Sequence, residues 1–333
     1  MVKIIAEFCQ NHNGDYHLLQ EMIHQAAESG AVYGKMQTIF ADDLTFRERF
    51  EQGVEQDGVI KVIKRPYQAE YARLKGLEIG YEQQAQFIED CNRYGLIPMT
   101  TCFTRGAVEP LSQLKWGAIK VASYDCGAAP LLKGLATEFK HIIVSTGASY
   151  DEEIKGAAAI LKVFGSDYAF LHCVTIYPTP LCEMHLNRML FLKQFASDVG
   201  LSSHPLTARD GIKADLVAVY LGAEYIERHF TILSADQTRD GPVSIVPHHL
   251  KEMVRFSMMS KPDQKLYLDT EVPDLDIMMG KATRDLSHAE LLNRDYYRGR
   301  FATHVSGRVI YNWEDVEPEN DCMNEQTDGR CRI

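Results

Sequence analysis

Eight short apolar runs, separated by longer stretches with helical periodicity, limit the fold of this chain more than any other feature. The runs are rich in β-branched residues and span 4–8, 33–37, 96–101, 118–123, 141–146, 168–173, 199–203 and 225–230. Helical patterns lie at 16–29, 81–94, 151–164, 207–221 and 248–258, and a glycine directly follows four of them, as is typical of helix ends. Eight strand–helix units predict an α/β fold of the (β/α)8 TIM-barrel type, with the active site at the carboxyl ends of the strands.

A doubly wound parallel sheet is the alternative for alternating strands and helices. The first run is not followed by a GxGxxG turn, so nothing favours a dinucleotide-binding fold. With 333 residues and 45% hydrophobic content, the chain is long enough for one large barrel and a small appendage. The strand–helix alternation stops near residue 262, so we expect a barrel domain at 1–262, a linker at 263–280 and a C-terminal segment with a tail at 281–333.

A long charged insertion, residues 39–80, follows the second run. A solvated loop with one or two helices is one interpretation of this stretch. A lid over the substrate is the other, because loops on this face of a barrel often carry function.

Composition and charge exclude several classes of function. The net charge of -11 argues against a nucleic acid partner, which would require clustered basic residues. The eight cysteines are scattered without CxxC spacing, which predicts reduced thiols. The sequence enters directly on its first strand and contains no run of 18 apolar residues, so we expect a cytoplasmic protein with no membrane partner.

Polar residues stand where the predicted strands end, and the barrel would bring them together. They are Glu7, Lys35, Gln37, Thr101, Lys120, Ser123, Asp125, Ser145, Thr175, Tyr177, Ser202, His204, Glu227 and His229, with Asp240 ten residues after the eighth run. Two lysines among several hydroxyls suit a small phosphorylated carboxylate. His204 and His229 follow neighbouring strands and could hold one divalent metal that polarises a carbonyl group. A strand lysine could equally be a Schiff-base nucleophile or a buried ion-pair partner.

Eight motifs in order resemble the sialic acid synthase (N-acetylneuraminate synthase) family. They are AEFCQNHNG at 6–14, GKMQT at 34–38, TTCFT at 100–104, IKVAS at 119–123, VSTG at 144–147, LHCVTIYPTP at 171–180, GLSSH at 200–204 and IERHFT at 226–231. Members of this family condense phosphoenolpyruvate with a sugar aldehyde to give nonulosonic acids. The resemblance covers about residues 1–260, and its specificity comes from the set rather than from any one motif.

The resemblance implies roles for individual residues. It implies a phosphoenolpyruvate site made by Lys35, Thr101, Lys120, Ser123, Ser145 and Ser202, an acceptor site made by Glu7, Gln37, Tyr177 and Asp240, and metal ligands His204 and His229. Manganese is the expected metal, with magnesium or cobalt as alternatives. Glu7 and Asp240 are the candidates for orienting the aldehyde and moving protons, and Asp125 is a third catalytic candidate.

The chain departs from the family pattern at three positions and in its tail. Asp125 stands where the family usually has Glu, Thr175 where it has Asn, and Ser203 where it has Asp. Family members usually end in an antifreeze-like β-clip (SAF) domain that contributes an acceptor-binding arginine from the partner in a homodimer. Here YRGRFA at 297–302, GRVI at 307–310 and WEDV at 313–316 resemble only part of that domain, so 281–333 is expected to be a truncated version, and the arginine is not placed.

The leading hypothesis is a metal-dependent synthase that condenses phosphoenolpyruvate with an aldose, which could be an N-acyl hexosamine. The product would be a sialic-acid-like 3-deoxy-2-ulosonic acid, with release of phosphate. Two alternatives remain open. One is a pyruvate aldolase that forms a Schiff base on Lys120 or Lys35. The other is a barrel with reduced activity that serves as a binding subunit.

Overall fold

A closed barrel of eight parallel strands forms the centre of the molecule, in a computed structural model that describes residues 2–316. The barrel strands are β1 (Lys3–Cys9), β2 (Tyr33–Thr38), β5 (Ile97–Cys102), β6 (Ala118–Val121), β7 (His141–Ser145), β8 (Asp167–Cys173), β9 (Asp198–Ser202) and β10 (Tyr225–His229). They follow one another around the barrel in chain order, and β1 closes it by pairing with β10. The predicted TIM barrel is confirmed.

Helices surround the barrel and occupy most of the stretches predicted as helical. Their bounds are α1 (Tyr16–Glu28), α2 (Arg49–Gln52), α3 (Tyr67–Lys75), α4 (Tyr81–Arg93), α5 (Val108–Ser112), α6 (Ala129–Glu138), α7 (Asp151–Val163), α8 (Arg188–Leu192), α9 (Thr207–Asp210), α10 (Lys213–Tyr220), α11 (Pro247–Ser257), α12 (Lys261–Glu271) and α13 (His288–Tyr297). The pattern at 207–221 forms two helices rather than one. Gly211 ends α9 with a φ of 54°, a left-handed backbone that a helix cannot continue.

Two apolar cores lie on opposite faces of the barrel strands. The inner core consists of Ile5, Tyr33, Met99, Ala118, Ile143, Ala169, Leu171 and Tyr225, with Val32 packed against it. The outer core lies between the strands and the surrounding helices; α1, for example, buries Leu19, Met22, Ile23 and Ala26 at helical spacing. Alternation along each strand therefore assigns one set of side chains to each core.

The insertion at 39–80 and the chain after α12 pack against each other. The insertion contains α2, α3 and a hairpin of β3 (Val54–Gln56) with β4 (Val59–Val62). The later stretch contains α13 and the hairpin of β11 (Thr303–Val305) with β12 (Arg308–Ile310). Backbone hydrogen bonds join them: the Thr45 N–H donates to the Arg300 carbonyl oxygen over 2.9 Å, and the Ala302 N–H donates to that of Asp43 over 2.9 Å.

The stretch predicted as a linker, residues 263–280, is packed against the barrel domain. Most of α12 lies in it and buries Leu268, and the Leu186 N–H donates to the Met278 carbonyl oxygen over 2.8 Å. The division into three parts stays a prediction. Among the described residues, no helix is long and apolar enough to cross a bilayer.

The cysteines of the described chain are unpaired, in line with the predicted reduced state. They are Cys9, Cys91, Cys102, Cys126, Cys173 and Cys182. Cys322 and Cys331 lie outside the described residues.

Candidate active site

A layer of polar side chains lies directly above the inner core, at the carboxyl ends of the strands. Each member stands two residues after an inner-core residue or, on β9, after Gly200. The pairs are Ile5 with Glu7, Tyr33 with Lys35, Met99 with Thr101, Ala118 with Lys120, Ile143 with Ser145, Leu171 with Cys173, Gly200 with Ser202 and Tyr225 with Glu227. Side chains two residues apart on a strand point to the same face, so the polar layer also points into the barrel.

Strand register makes neighbours of polar residues that are far apart in sequence. Glu7 pairs with His229 on one side and Lys35 on the other, and Thr101 pairs with Lys120. These residues open into a cavity of about 370 Å³. Fourteen of the fifteen polar residues named from the sequence line it: Glu7, Lys35, Gln37, Thr101, Lys120, Ser123, Asp125, Ser145, Tyr177, Ser202, His204, Glu227, His229 and Asp240. The exception is Thr175, which is buried beside the cavity, where its carbonyl oxygen accepts a 2.7 Å hydrogen bond from the Asn293 side chain.

Two lysines and two glutamates form the charged floor of the cavity. Lys35 Nζ contacts a Glu7 carboxylate oxygen directly and lies 3.9 Å from Glu227 Oε2, which is 4.0 Å from Lys120 Nζ. Lys120 Nζ also donates to Ser145 Oγ over 2.6 Å. Burial lowers the pKa of Lys35 to about 7, and the Lys120 charge adds to this shift while the Glu227 carboxylate opposes it. In their charged forms the two lysines and the two carboxylates balance, so an incoming anion can replace a carboxylate as the partner of a lysine.

His204 and His229 face each other across the cavity, with ring centroids 5.1 Å apart. Burial is the largest cause that lowers the pKa of His204 well below its ordinary value, and the nearby His229 and Arg228 add to it. Burial also lowers the pKa of His229, against the opposing effect of Asp240. Both rings are therefore neutral at pH 7, which is the form that binds metal ions. His229 Nδ1 is buried without a hydrogen-bond partner among the described residues.

Cys9 and Asp240 stand beside His229. Cys9 Sγ lies 2.9 Å from Asp240 Oδ2, which lies 3.6 Å from His229 Nδ1. One donor atom from each of the three residues falls within 4.8 Å of the others. Burial, and next the neighbouring Asp240, raise the pKa of the Cys9 thiol well above its ordinary value, so the thiol would lose its proton only on binding a metal. Cysteine sulfur, imidazole and carboxylate are all donors that divalent transition metals accept, so this end of the cavity fits a metal.

Ser203, one of the three departures, faces away from the cavity. Its hydroxyl lies 2.5 Å from Asp215 Oδ1, and Asp215 Oδ2 accepts a 2.8 Å hydrogen bond from Arg228. Asp215 and Arg228 are both fully buried. Helix α10 thus supplies a carboxylate to Arg228 at this place, and the serine completes a buried ion pair rather than part of the cavity wall.

Asp125, another departure, is tied to the C-terminal stretch. Asn312 Nδ2 donates to Asp125 Oδ1 over 2.9 Å and to the Phe103 carbonyl oxygen over 2.8 Å. Burial raises the pKa of Asp125 to about 6, although the hydrogen bond from Asn312 opposes the shift. The carboxyl group therefore forms part of the cavity wall and also holds the chain near residue 312.

The insertion and the C-terminal stretch complete the cavity wall. Ile39, Arg65, Glu70 and Arg73 come from the insertion, and Tyr297, Gly299, Arg300 and Phe301 come from the stretch after α12. Of the two interpretations of the insertion, the structure favours a cover over the site. The tail also places an arginine, Arg300, on the wall.

Several lining residues were absent from the predicted site. Cys9 stands two residues after Glu7 on the same strand, so strand alternation contains a signal for it. Glu70, Arg73, Arg239 and Arg300 carry no such signal, because they lie on the insertion, on the loop after β10 and after α13, and only tertiary contacts bring them together.

Comparison with known proteins assigns a family to this site. A family model described as the NeuB family matches residues 22–261. The chain belongs to the NeuB family. Pseudaminic acid synthase of Campylobacter jejuni is 30% identical over 301 residues, 88% of this chain and 85% of that protein. N,N'-diacetyllegionaminic acid synthase of the same species is 31% identical over 310 residues, 89% of this chain and 82% of that protein.

Solved structures agree with the family assignment. The N-acetylneuraminic acid (sialic acid) synthetase of Leptospira borgpetersenii matches with a TM-score of 0.67 and 25% identity, over 89% of this chain and 90% of that chain. The resemblance to sialic acid synthases that the eight motifs indicate is thereby confirmed. In this member of the NeuB family Ser203, where the resemblance implies an aspartate, contacts the buried Asp215–Arg228 pair.

Proposed function

We propose that this chain condenses phosphoenolpyruvate with a sugar aldehyde to a 3-deoxy-2-ulosonic acid and releases phosphate. One observation carries the proposal: a single cavity joins a wall of lysines and hydroxyls to a pair of neutral histidines. The names of the relatives, pseudaminic acid synthase and N,N'-diacetyllegionaminic acid synthase, support a product of this class.

Phosphoenolpyruvate would bind on the floor of the cavity. Lys35 and Lys120 would neutralise its charges, and the hydroxyl groups of Ser123, Ser145 and Ser202 offer directional hydrogen bonds. The Gly147 N–H already donates to Ser123 Oγ over 3.1 Å, which holds that side chain in place. Binding of the anion would stabilise the charged form of Lys35, whose pKa burial has lowered.

His204 and His229 would hold a divalent metal, with Asp240 and Cys9 as additional donors. When bound, the metal supplies Lewis-acid polarisation of the acceptor's carbonyl group. Tyr177 contacts the edge of the His204 ring, at 4.4 Å between ring centroids, and would orient it. Manganese stays the expected ion.

Bond formation and cleavage would balance as follows. C3 of phosphoenolpyruvate attacks the aldehyde carbon, and the aldehyde oxygen takes up a proton. Water adds at C2, and phosphate leaves with cleavage of its bond to C2. Glu7 and Asp240 would be the carboxylates that move these protons, and the contact of Glu7 with Lys35 and the position of Asp240 beside His229 support these roles.

Phosphate release tests the proposal. With Mn²⁺ and a panel of aldoses that includes N-acyl hexosamines, we expect release from phosphoenolpyruvate only when both the aldose and the metal are present. His229→Ala should lower the rate at least about a hundredfold by removing a metal ligand, whereas His248→Ala, at an exposed position, should not. Turnover that survives exhaustive chelation would contradict the proposal.

The aldolase alternative draws on the lowered pKa of Lys35, since a Schiff-base nucleophile must be a neutral amine. Borohydride reduction in the presence of pyruvate separates the two mechanisms. A covalent adduct on Lys35 or Lys120 would favour the aldolase, and we expect none. The non-catalytic alternative predicts phosphoenolpyruvate binding without phosphate release across the whole panel.

A homodimer and a cytoplasmic location stay predictions from the sequence.

A further inference from the structure

Three arginines share one carboxylate at the mouth of the cavity. Arg73 binds Glu70 in a bidentate manner, with Nε 3.0 Å from Oε2 and NH2 2.8 Å from Oε1. Arg300 NH2 also donates to Glu70 Oε1, and Arg239 NH1 lies 3.7 Å from Oε2. Three guanidinium groups, always charged, share the Glu70 carboxylate, and the charge of Asp240 also acts on Arg73, so this wall carries positive charge in excess even when both carboxylates are counted.

The carboxylate remains ionised at every physiological pH. Burial raises the pKa of Glu70, but the hydrogen bond from Arg73 and the charges of Arg300, Arg73 and Arg239 outweigh it and bring the value to about 2. The excess charge is therefore permanent. It also stands out in a chain whose net charge is -11.

The arginines retain unused hydrogen-bond donors. Arg300 is 8% exposed, and its Nε is buried without a partner among the described residues. Arg239 makes no hydrogen bond to the described residues, and its side chain is 46% exposed. An unsatisfied donor on a buried cation is costly, which favours a ligand as the missing acceptor.

The cluster lies at the metal end of the cavity. Arg73 NH1 donates to Gln10 Oε1, and Gln10 directly follows Cys9, which contacts Asp240. The metal donors thus lie between the lysine floor and the arginines. An acceptor whose aldehyde reaches the metal would extend its far end toward the arginine cluster.

We propose that Arg73, Arg239 and Arg300 form an anion subsite, and that the natural acceptor is an aldose with an anionic group at the end away from its aldehyde. This inference rests on the proposed function for the direction in which the acceptor lies. A phosphate monoester and a carboxylate share the required chemistry, since guanidinium groups bind either through two parallel hydrogen bonds.

The cluster also anchors the C-terminal stretch through Arg300, and that structural role alone does not account for Arg239. Its side chain is half exposed on the loop after β10 and holds no backbone group of the insertion or of the C-terminal stretch among the described residues. A substitution at Arg239 therefore tests ligand binding without removing a contact that holds these segments together.

Binding of unreactive acceptor analogues provides the test. The probes are a neutral hexitol, the hexitol 6-phosphate and the polyol obtained by reducing the aldehyde of a hexuronate, each titrated calorimetrically into the full chain with Mn²⁺ and phosphoenolpyruvate. None of the probes has an aldehyde, so binding is measured whether or not the protein catalyses condensation. We expect one anionic probe to bind about tenfold or more tightly than the neutral hexitol, as charge-assisted hydrogen bonds imply. Whichever anionic probe binds more tightly than the neutral hexitol identifies the preferred anion as phosphate or carboxylate.

Variants at Arg239 assign the effect to the cluster. Arg239→Ala should remove most of the advantage of the anionic probe, and Arg239→Lys should keep part of it. Arg209→Ala, which removes an exposed arginine paired with Asp210, should leave the binding of every probe unchanged.

Equal binding of neutral and anionic probes, or an advantage of the anionic probe that survives Arg239→Ala, would overturn the subsite. A loss of phosphoenolpyruvate affinity in Arg239→Ala would also overturn it, because the arginines would then serve the first substrate. Absence of phosphate release with every aldose would contradict the proposed function and leave the binding result standing.

Discussion

Cys9 combines an unusual backbone with a side chain at the candidate metal site. Its φ is 47°, in the left-handed region that residues other than glycine rarely adopt. Such conformations cost about 1–3 kcal/mol and persist mainly at functional sites. In this chain the conformation accompanies a thiol that lies 2.9 Å from Asp240 Oδ2. A role as a metal donor gives a physical reason for placing a cysteine there.

The first prediction concerns this thiol. In protein loaded with Co²⁺, we expect a thiolate-to-cobalt charge-transfer band in the near ultraviolet, because a coordinated thiol loses its proton. Cys9→Ser should abolish the band and weaken Co²⁺ binding about tenfold or more. Cys182→Ser, at an exposed position, is the matched control and should keep both. Identical spectra for wild type and Cys9→Ser would rule out the thiol as a ligand.

The second prediction concerns Asp125 and pH. Burial raises the pKa of this carboxyl group from 3.8 to about 6, so the folded protein keeps a proton that the unfolded chain has already released. The resulting stability is complete below pH 3.8 and is lost as the pH rises through 6, and the loss amounts to about 3 kcal/mol. Asp125→Asn removes this dependence because an amide does not titrate.

Urea unfolding at several pH values measures the effect. Relative to wild type, Asp125→Asn should gain about 3 kcal/mol of unfolding free energy between about pH 4 and about pH 7. Asp236→Asn, at an exposed position, should show the same pH dependence of the unfolding free energy as wild type. A constant difference between Asp125→Asn and wild type across this range would show that Asp125 is ionised throughout.

Helix α13 is one of the elements that fix the C-terminal stretch over the cavity. Arg294, near its end, binds both oxygens of Glu153 on α7, at 2.9 and 2.6 Å, and donates to the Ala148 carbonyl oxygen over 2.5 Å. Arg294 is 8% exposed, so its charge depends on this one partner. Three residues later, Tyr297 is on the cavity wall, and a shift of α13 would move that wall.

The third prediction follows from this contact. Arg294→Ala should lower the free energy of unfolding by about 2–3 kcal/mol, since it removes the closer of the two arginines that pair with the partly buried Glu153 and leaves only Arg298, 3.7 Å away. It should also raise the KM for the sugar acceptor more than the KM for phosphoenolpyruvate, because the lysine floor belongs to the barrel strands. Lys155→Ala, which breaks an exposed pair between Lys155 and Glu152 on α7, should leave the free energy of unfolding nearly unchanged and should not alter either KM value. Equal increases in both KM values would place α13 next to both substrates.

Periodic elements could be predicted from the sequence, and contacts between irregular segments could not. The eight apolar runs match the barrel strands closely because strands with helices on one face and a core on the other are apolar throughout. Strand ends therefore also identified the polar layer, including both lysines and both histidines. Arg300 contacts the insertion at two places, the Thr45 N–H and the Glu70 carboxylate that Arg73 also binds. No local sequence pattern indicates these contacts, because they join chain segments more than 200 residues apart.

Ser203 shows a second limit. The sequence places it next to the predicted metal ligand His204, but adjacency along the chain does not mean that the two side chains share a face. The structure turns Ser203 toward Asp215, twelve residues later on α10, and leaves the wall of the cavity to Ser202 and His204. Alternation along the strand contains this information, since neighbouring residues point to opposite faces.

At the scale of the whole molecule, the barrel and the C-terminal stretch of one chain line the cavity together. The barrel contributes the lysine floor and the histidines, and the C-terminal stretch of the same chain contributes Tyr297 and Arg300. The family resemblance implies instead that the tail of a dimer partner completes the site. The two arrangements differ in whether a defective barrel and a defective tail can compensate for each other in a mixed dimer.

The fourth prediction is that a defective barrel and a defective tail cannot compensate for each other in a mixed dimer. Lys120→Ala disables the floor of one chain and leaves its tail intact, whereas Arg300→Ala disables the tail and leaves the floor intact. If each tail serves its own barrel, unfolding and refolding the two variants together should give no more activity than either alone. If tails were exchanged in a dimer, half of the dimers would be mixed and each would hold one intact site, which restores about a quarter of wild-type activity. Wild-type protein treated in the same way controls for refolding yield, and a recovered quarter would show that the tail reaches across to a partner.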